Sequence, residues 1–376
     1  MYEPLSEIWR ETLRECLTGL LGRRTSLVRM TSDAPATAPR GGLVRLPGRD
    51  LFGIRDVGVD EVCRLLASAR ALSRLRDRYP RARGDVLAGC TVVNLFGEPS
   101  TRTRMSFSLA ARVLGAEVLE VVGEADTSRA KGETAFDTAC TLDAMGVDVL
   151  VIRDREEQFP ERVGERVRAR VVNAGDGCNE HPTQALLDAL TLIEAFARPI
   201  DGSATLRGMT VAICGDIAHG RVAHSNLSLL PALGADVRVT GPAELVPGDV
   251  ESRYGVARVA SLDEAITGVN AIIMLRVQAE RFSGAAVPEP NRYRRIWGLD
   301  SARLAKAASN VVVMHPGPVI RGMELTDELA DGPRSRVLRQ VALGVSMRMA
   351  VLARACNVEL AVQEDPQEGT IRAVRD

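Results

Sequence analysis

The sequence has almost no net charge, few aromatic residues and almost no lysine. Its 376 residues carry 48 basic and 49 acidic side chains, a formal charge of −1, and only 3% are aromatic. A near-neutral chain has no global attraction to nucleic acid or to an anionic membrane, so any anion must be bound locally. Lysine occurs only at Lys131 and Lys306, and every other basic residue is arginine. The arginine excess is typical of a GC-rich coding bias, under which a retained lysine indicates a specific requirement.

Long apolar runs and metal-type cysteine patterns are also missing. No stretch approaches the roughly 18 apolar residues of a membrane helix, and the N-terminal MYEPLSEIWRETLRE mixes acids and bases. We therefore expect neither a membrane span nor a secretory signal. The seven cysteines are scattered without a C-x-x-C pair, and an odd number favours reduced thiols over a disulfide framework. The expectation is a soluble, cytoplasmic protein without a metal site.

The hydrophobic pattern predicts an α/β protein. Residues 1–50 combine a short amphipathic stretch with the linker-like TSDAPATAPRGG. From about residue 51, helical patterns alternate with short runs rich in valine and isoleucine, which is typical of βαβ units and parallel sheets. These runs are TVVNLF, AEVLEVV, VDVLVIR, RVVNAG, TVAICG, ADVRVT, NAIIMLR and NVVVMHP.

A polar, glycine-containing break near residues 198–208 predicts two parallel-sheet α/β domains, at 51–200 and 201–335. The last segment, 336–376, holds a helix that we expect to pack back on the first domain, followed by a tail. Because α/β folds bind ligands at domain interfaces and beyond the C-terminal ends of strands, we expect the active site in the cleft between the two domains.

Five consecutive anion-binding side chains follow the run TVVNLF. They lie at the end of the predicted strand and in the first turn of the next predicted helix: Ser100, Thr101, Arg102, Thr103 and Arg104. A helix N-terminus offers unpaired N–H groups and a positive dipole end, and arginine presents a planar fork, so the segment suits a phosphate dianion. The alternative is that Ser100 only caps the helix and the arginines are solvated. Neither a Walker pattern nor G-x-G-x-x-G spacing is present, so a nucleotide is not the first expectation.

Six segments, in order, resemble the catalytic chain of the aspartate carbamoyltransferase family: FGEPSTRTRMSF, KGETAFDT, NAGDGCNEHPTQALLD, GDIAHGRVAHSN, LRVQAER and HPGPVIRGME. The resemblance implies transfer of the carbamoyl group of carbamoyl phosphate to the amine of L-aspartate, giving N-carbamoyl-L-aspartate and phosphate in pyrimidine biosynthesis. It implies that no cofactor or metal is needed. It also implies a homotrimer with shared active sites, and leaves open a larger assembly with regulatory or dihydroorotase subunits.

The resemblance further implies which residues bind carbamoyl phosphate: Ser100, Thr101, Arg102, Thr103, Arg153, His181, Gln184, Pro316 and Gly317. Those expected to act in catalysis are Arg102, Thr103, Lys131, Arg153, His181 and Gln184. His181 and Gln184 stand three positions apart and so share one helix face. An imidazole donor aimed at the carbonyl oxygen stabilises the charge that develops there. Taken alone, an arginine at a strand end, such as Arg153, is more often a surface charge than a ligand-binding residue. A single histidine such as His181 is about as often structural as functional.

For the acceptor, the resemblance implies that the carboxylates of aspartate are held by Lys131, Arg221, Arg276 and Gln278. A flexible point cation such as Lys131 fits a loop that swings into the neighbouring subunit's site. Arg276 and Gln278 stand two apart, so they point the same way in an extended segment. Taken alone, LRVQAER reads as the charged start of a helix. HPGP in place of the H-C-L-P of the related ornithine enzyme favours an acidic acceptor.

Two positions depart from the family pattern. Asp154 stands where the family usually has histidine. An acid there could pair with Arg153 and weaken its attraction for phosphate, or its side chain could equally point away. Thr127, followed by Ser128, stands where the family has a loop serine, and its β-branch stiffens the side chain. These departures leave two alternatives open. One is a carbamoyltransferase that uses a different amino-acid acceptor in specialised metabolism, and the other is an inactive structural paralogue.

Overall fold

The runs rich in valine and isoleucine form the strands of two all-parallel sheets. The computed structural model describes residues 48–123, 132–281, 289–364 and 369–373. Strands that are covered on both faces read as near-continuous apolar runs, and Val92 to Phe96 are accordingly all buried. The predicted fold class, two α/β units with parallel sheets, is confirmed.

The first half of the chain contains α1 (Val59–Arg78), β1 (Arg83–Gly84), β2 (Thr91–Phe96), α2 (Thr101–Val113), β3 (Glu117–Val122), α3 (Ala135–Ala144), β4 (Val149–Asp154), α4 (Phe159–Gly164), β5 (Arg170–Asp176) and α5 (Pro182–Ala195). The second half contains β6 (Thr210–Cys214), α6 (Arg221–Ala232), β7 (Asp236–Thr240), α7 (Val250–Tyr254), β8 (Ala257–Arg258), α8 (Leu262–Ile266), β9 (Ala271–Met274), α9 (Pro290–Trp297), α10 (Ser301–Leu304), β10 (Val312–Met314), α11 (Asp327–Asp331), α12 (Val337–Ala355), β11 (Leu360–Glu364) and β12 (Gly369–Ala373). Among these described helices, none is both long and apolar enough to span a membrane.

Each parallel sheet reverses its strand order at one point. The first sheet has the order β3-β2-β4-β5 and the second has the order β10-β9-β6-β7-β8. In open α/β sheets, ligands bind in the crevice outside the carboxyl ends of the strands at such a switch point. The switch points lie between β2 and β4 and between β6 and β9. The segments that follow these four strands are therefore the places where this fold positions a site.

Helix α5 is buried along most of its length. It packs against α6 and α12, and every residue from Pro182 to Ile193 is buried. Two polar side chains one turn apart, Gln184 and Asp188, are thus enclosed together with leucines and alanines. Because a buried amide or carboxylate is costly without hydrogen bonds, both need polar partners from neighbouring helices.

The long C-terminal helix α12 packs against α1, α2 and α5. Near its N-terminus, Arg339 donates hydrogen bonds to Asp77 at 2.6 and 2.9 Å and to Glu194 at 2.6 Å. Near its C-terminus, Arg354 donates to Glu61 at 2.7 Å. These ion pairs hold both ends of the helix, so the side chains along its middle have fixed positions.

The sequence predicts a simple tail after the last helix, but the structure shows two further paired strands there. Strands β11 and β12 form an antiparallel ribbon, and β12 also pairs in parallel with β1. Gly84 contacts this ribbon so closely that an added Cβ would lie 2.4 Å from the carbonyl oxygen of Ile371. The ribbon therefore adds the C-terminal segment to the same half of the molecule as α1.

Candidate active site

A cavity of about 820 Å³ lies where residues from the two switch points meet. Every predicted site residue that the structure describes lines it: Ser100, Thr101, Arg102, Thr103, Arg153, His181, Gln184, Arg221, Arg276, Gln278, Pro316 and Gly317. Lys131, together with Thr127 and Ser128, lies outside the described residues. The individual roles of the predicted site residues remain predictions. Those that the structure describes are spread over more than half of the chain and come together at one place.

The N-terminus of α2 lines the part of the cavity where the sequence predicts phosphate to bind, called here the phosphate side. Within the described residues, the Ser100 hydroxyl makes no capping hydrogen bond, although Ser100 occupies the cap position. The first N–H groups of a helix have no intrahelical acceptor, so those of Thr101 to Thr103 remain available as donors. Gly317 packs against Arg102. The φ of Gly317 is +70°, and a Cβ added to this glycine would lie 3.0 Å from the Arg102 guanidinium. Glycine is thus required where the HPGP segment meets the phosphate side.

One carboxylate holds three arginines at the centre of the cavity. Glu98 accepts hydrogen bonds from Arg221 at 2.7 and 3.1 Å, from Arg153 at 3.3 Å and from Arg281 at 3.4 Å. Burial alone would raise the pKa of Glu98, but the neighbouring guanidinium groups, that of Arg221 above all, hold it below its usual value. Gly175 lets two of the cations approach, since a Cβ there would lie 3.0 Å from both Arg153 and Arg221. Three positive charges around one negative charge leave a cavity that attracts anions.

Asp154, one of the two departures from the family pattern, is not the partner of Arg153. The strand register shifts between Ile152 and Asp154. The Asp154 carboxylate accepts a hydrogen bond from the backbone N–H of Glu156 at 3.1 Å. Arg153 instead donates to Glu98 and to a backbone carbonyl oxygen at 3.2 Å.

His181 provides a neutral imidazole at the wall of the cavity. Burial, followed by the charges of Arg153 and Arg348, keeps its pKa well below the usual value. Its backbone N–H donates to the Ser225 hydroxyl at 2.9 Å, which fixes the start of α5. Its buried Nδ1 has no hydrogen-bond partner among the described residues. A neutral imidazole carries one N–H and can donate it to a carbonyl oxygen.

The segment after β9 lines the part of the cavity where the sequence predicts the acceptor to bind, called here the acceptor side. Arg276 forms a two-pronged ion pair with Glu280, one contact of which is 2.9 Å, and this pairing lowers the pKa of Glu280. The backbone N–H of Gln278 donates to the buried Asp216 at 3.0 Å, so the segment after β9 is tied to the segment after β6. LRVQAER is thus mainly an extended loop that ends in one 3₁₀ turn, Ala279–Arg281, rather than the start of a long helix.

The HPGP segment is held by buried hydrogen bonds of His315. Its Nδ1 accepts from the N–H of Gly317 at 2.8 Å, so the ring proton lies on Nε2 and is donated to Glu324 at 3.0 Å. The backbone N–H of His315 donates to Gln340 of α12 at 3.0 Å. This arrangement fixes Pro316 and Gly317 at the cavity wall.

Sequence reasoning missed six charged residues that line the cavity: Glu98, Arg155, Glu157, Glu280, Arg281 and Arg348. Glu98 and Arg281 lie within two of the quoted segments but received no role there. Arg348 is buried on α12, with its guanidinium 5.1 Å from the centre of the Phe107 ring. A single arginine inside the apolar run GVSMRMAVLA was the available signal. Within the described ranges, no three histidine, cysteine or acidic side chains group closely enough to hold a metal ion.

Comparison with known families gives two matches that together span most of the chain. Residues 49–194 match the carbamoyl-phosphate-binding domain of aspartate/ornithine carbamoyltransferases, and residues 207–355 match the aspartate/ornithine-binding domain. The chain belongs to the aspartate/ornithine carbamoyltransferase family. The family predicted from the six segments, and with it carbamoyltransferase activity, is confirmed.

Individual members of the carbamoyltransferase family agree with this assignment. The chain is 46% identical over 325 residues to the aspartate carbamoyltransferase catalytic subunit of Novosphingobium aromaticivorans, covering 86% of this chain and 94% of the relative. Aspartate transcarbamoylase from Trypanosoma cruzi, solved with N-(phosphonacetyl)-L-aspartic acid, has a TM-score of 0.72 and 33% identity, covering 82% of this chain and 96% of that one. Ornithine carbamoyltransferase from Thermus thermophilus has a TM-score of 0.70 and 28% identity, covering 82% and 98%.

Proposed function

We propose that this chain is an aspartate carbamoyltransferase, which converts carbamoyl phosphate and L-aspartate to N-carbamoyl-L-aspartate and phosphate in pyrimidine biosynthesis. The observation that carries the proposal is the pair of anion-binding ends in one cavity. The first sheet supplies the α2 N-terminus with Arg102, and the second supplies Arg221 and Arg276. Cations on the acceptor side suit a dicarboxylate. The side-chain ammonium of ornithine would need a free acid, whereas Glu98 and Glu280 are already paired with arginines.

In this proposal the donor is held by its phosphate and polarised at its carbonyl. The phosphate dianion lies on the free N–H groups of α2 and on the fork of Arg102. The carbonyl oxygen accepts from Thr103, Arg153 and His181. Each such donor, aimed at charge that develops in the transition state, commonly contributes about 3 kcal/mol.

The acceptor is held by its carboxylates and presents its amine to the carbonyl carbon. Arg221 and Arg276 bind the carboxylates, and Gln278 adds a polar contact. The attacking nitrogen, a neutral amine, forms a bond to the carbonyl carbon and loses one proton, which the departing phosphate accepts. The bond from that carbon to the phosphate oxygen breaks, and its electron pair leaves with the phosphate. Since carbamoyl phosphate is already activated, orientation and carbonyl polarisation suffice for the reaction.

The test is turnover by the purified chain with carbamoyl phosphate and each of several amines: aspartate, ornithine, glutamate and alanine. We expect N-carbamoyl-L-aspartate, detected by mass spectrometry, to be the dominant product. Negligible turnover of aspartate together with good turnover of another amine would establish the alternative acceptor. No turnover of any amine by a folded protein would establish the inactive paralogue.

The active form is proposed to be a homotrimer in which Lys131 of one subunit enters the site of the next. Exposed apolar side chains on α2 and β3 support a self-association surface. Met105 and Leu109 of α2 and Leu119 of β3 are each more than 40% exposed. The test mixes two inactive variants, Lys131→Ala and Arg102→Ala. If sites are shared, dissociation and reassociation restore about a quarter of the sites. No recovery in a mixed trimer would contradict sharing.

The domain division and the location are also proposals. Residues 51–200 are assigned to carbamoyl phosphate, 201–335 to aspartate and 336–376 to the returning helix and tail, with 1–50 as an extension. The two sheets, each supplying one side of the cavity, support the division. The described cysteines are all free thiols, which supports a reducing cytoplasm. Retained activity after deletion of residues 1–47 would support their assignment as an extension. Cell fractionation tests the location.

A further inference from the structure

Asp188 lies at the centre of a buried hydrogen-bond network behind the cavity. Its Oδ1 accepts from the side-chain amide nitrogens of Gln184 at 2.9 Å and Gln340 at 2.8 Å. Its Oδ2 accepts from the side-chain amide nitrogen of Asn226 at 2.8 Å. The four residues lie on three helices, α5, α6 and α12, and the Asp188 side chain itself is fully buried. The carboxylate thus joins the elements that carry both halves of the cavity.

The network dictates the orientation of the Gln184 amide. An ionised carboxylate only accepts hydrogen bonds, so each amide must turn its NH₂ group toward Asp188 and its oxygen away. For Gln340 the oxygen then accepts from the backbone N–H of His315. For Gln184, which lines the cavity, Oε1 has no hydrogen-bond partner among the described residues. The free end of this fixed amide is therefore an acceptor that requires a donor from the ligand.

The ionised state of Asp188 is supported by its surroundings. Burial raises the pKa of this carboxyl to about 6, and the three amide donors together with the charge of Arg348 act in the opposite direction. Arg348 is the charged group that faces the network, and it is itself buried on α12. Above about pH 6 the carboxylate form therefore predominates.

We propose that Asp188 is a positioning residue for donor specificity: it fixes Gln184 so that Oε1 faces the acyl group and selects an NH₂ group over a methyl group. The inference rests on the proposed function, in which carbamoyl phosphate is the donor. Carbamoyl phosphate carries an NH₂ group where acetyl phosphate carries a CH₃ group. The two molecules share the phosphate and the carbonyl and have nearly the same shape. Acetyl phosphate would leave the Gln184 oxygen desolvated without a donor, and a site built around a hydrogen bond discriminates strongly against such an analogue.

The test measures how well the enzyme prefers carbamoyl phosphate. The readout is the ratio of the Ki of acetyl phosphate, as a competitor, to the KM of carbamoyl phosphate. Asp188→Leu has a similar volume but no acceptor oxygen, so the Gln184 amide loses its enforced orientation. We expect the ratio to fall at least about tenfold, while the Ki of inorganic phosphate changes less than about twofold. An unchanged ratio in a folded, active Asp188→Leu enzyme would overturn the inference.

A double-mutant cycle separates positioning from general structural damage. Gln184→Met removes the acceptor oxygen and should lower the ratio by a similar factor. Adding Asp188→Leu to Gln184→Met should leave the ratio unchanged, because a positioning residue acts only through the group it holds. Additive losses would refute positioning. If Asp188→Leu does not fold, the smaller Asp188→Ser carries the same expectation.

Asn226→Ala serves as the matched control, since it removes a donor to the same carboxylate without releasing Gln184. Its melting temperature should fall, but its ratio should stay within about twofold of the wild-type value. Activity of the unmodified enzyme with aspartate is measured first. Its absence would reject the proposed function, whereas an active enzyme whose ratio does not depend on Asp188 would reject only this inference.

Discussion

Glu98→Gln is the substitution for which the structure gives the most detailed expectation. Glutamine has nearly the same shape as glutamate, but the change removes the charge and turns one of the two oxygens that accept from Arg221 into a donor. The guanidinium groups of Arg153, Arg221 and Arg281 then remain close together without their shared carboxylate. We expect the folded state to lose stability and to become more dependent on bound anions.

The magnitude follows from charge and burial. A pair of unit charges about 4 Å apart is worth about 4 kcal/mol at an effective dielectric constant of about 20. Removing one member of a buried pair typically costs about 3–5 kcal/mol. Because 18% of the Glu98 side chain is exposed, water screens part of the remaining repulsion. A loss of about 3 kcal/mol is therefore expected, which lowers Tm by roughly 6–12 °C for a domain of this size.

Thermal and urea unfolding in a buffer poor in multivalent anions, with and without inorganic phosphate, measure this loss. A ligand at about 100 times its Kd stabilises the folded state by about 2.7 kcal/mol. Phosphate should therefore recover most of the loss in Glu98→Gln and stabilise this variant more than the wild type. Glu156→Gln is the control, because Glu156 pairs with Arg162 where both side chains are about half exposed. It should cost less than about 0.5 kcal/mol.

Two outcomes would refute the reasoning about Glu98. One is a Glu98→Gln protein whose stability without phosphate equals that of the wild type. The other is an equal gain from phosphate in both proteins, which would mean that the carboxylate does not compete with anions for the arginines.

Three further predictions concern the catalytic rate. Lys131→Arg should lower kcat at least about tenfold, since the rigid guanidinium of arginine cannot replace the compact ammonium of lysine in a site. Lys306→Arg should keep a kcat near that of the wild type, and steady-state rates compare the two variants. Gly317→Ala should lower kcat/KM for carbamoyl phosphate at least about tenfold, since the new methyl would lie 3.0 Å from the guanidinium of Arg102, which is proposed to bind phosphate. Gly322→Ala has similar positive-φ strain (φ +77°) but an open surrounding, and should keep the wild-type value. The pH–rate profile should show no inflection from His181 near its usual pKa, because burial keeps this imidazole neutral well below that value.

Each of these predictions has a result that contradicts it. Equal rates for the two lysine variants would remove the argument for a lysine-specific role. Equal losses for the two glycine variants would indicate backbone strain rather than displacement of the guanidinium. A histidine C–H resonance that titrates near pH 6.5 and disappears in His181→Asn would show that the imidazole is not kept neutral.

The position of Ser100 to Thr103 at the cavity was predictable because its signal is local. These residues follow an apolar strand and begin a helix, and the N-terminus of a helix favours an anion. Arg153 was predictable for a related reason, since the end of a buried strand near a switch point must face the crevice. In both cases a few consecutive residues determine the local structure and its chemistry.

The network behind the cavity was not predicted because its partners are far apart in the sequence. Asp188 and Arg348 each stand alone in an apolar helical run, and a run by itself does not show which distant side chain will satisfy a buried charge. Gln340 and Asn226 became partners of Asp188 only through the packing of three helices. The C-terminal ribbon was missed similarly, since its pairing with β1 joins opposite ends of the described chain. For Asp154 the sequence left open whether the side chain pairs with Arg153 or points away, and the strand register shifts at this position.

The return of α12 to the first sheet has a consequence for synthesis on the ribosome. Arg354 pairs with Glu61, which precedes it by 293 positions. At about 5–20 residues per second, roughly 15–60 s separate the emergence of α1 from that of its partner helix. During this interval the apolar face of α1, including Leu65, Leu66 and Leu72, lacks the helix that covers it in the finished protein. Chaperone demand should therefore depend on how fast the second half of the message is translated.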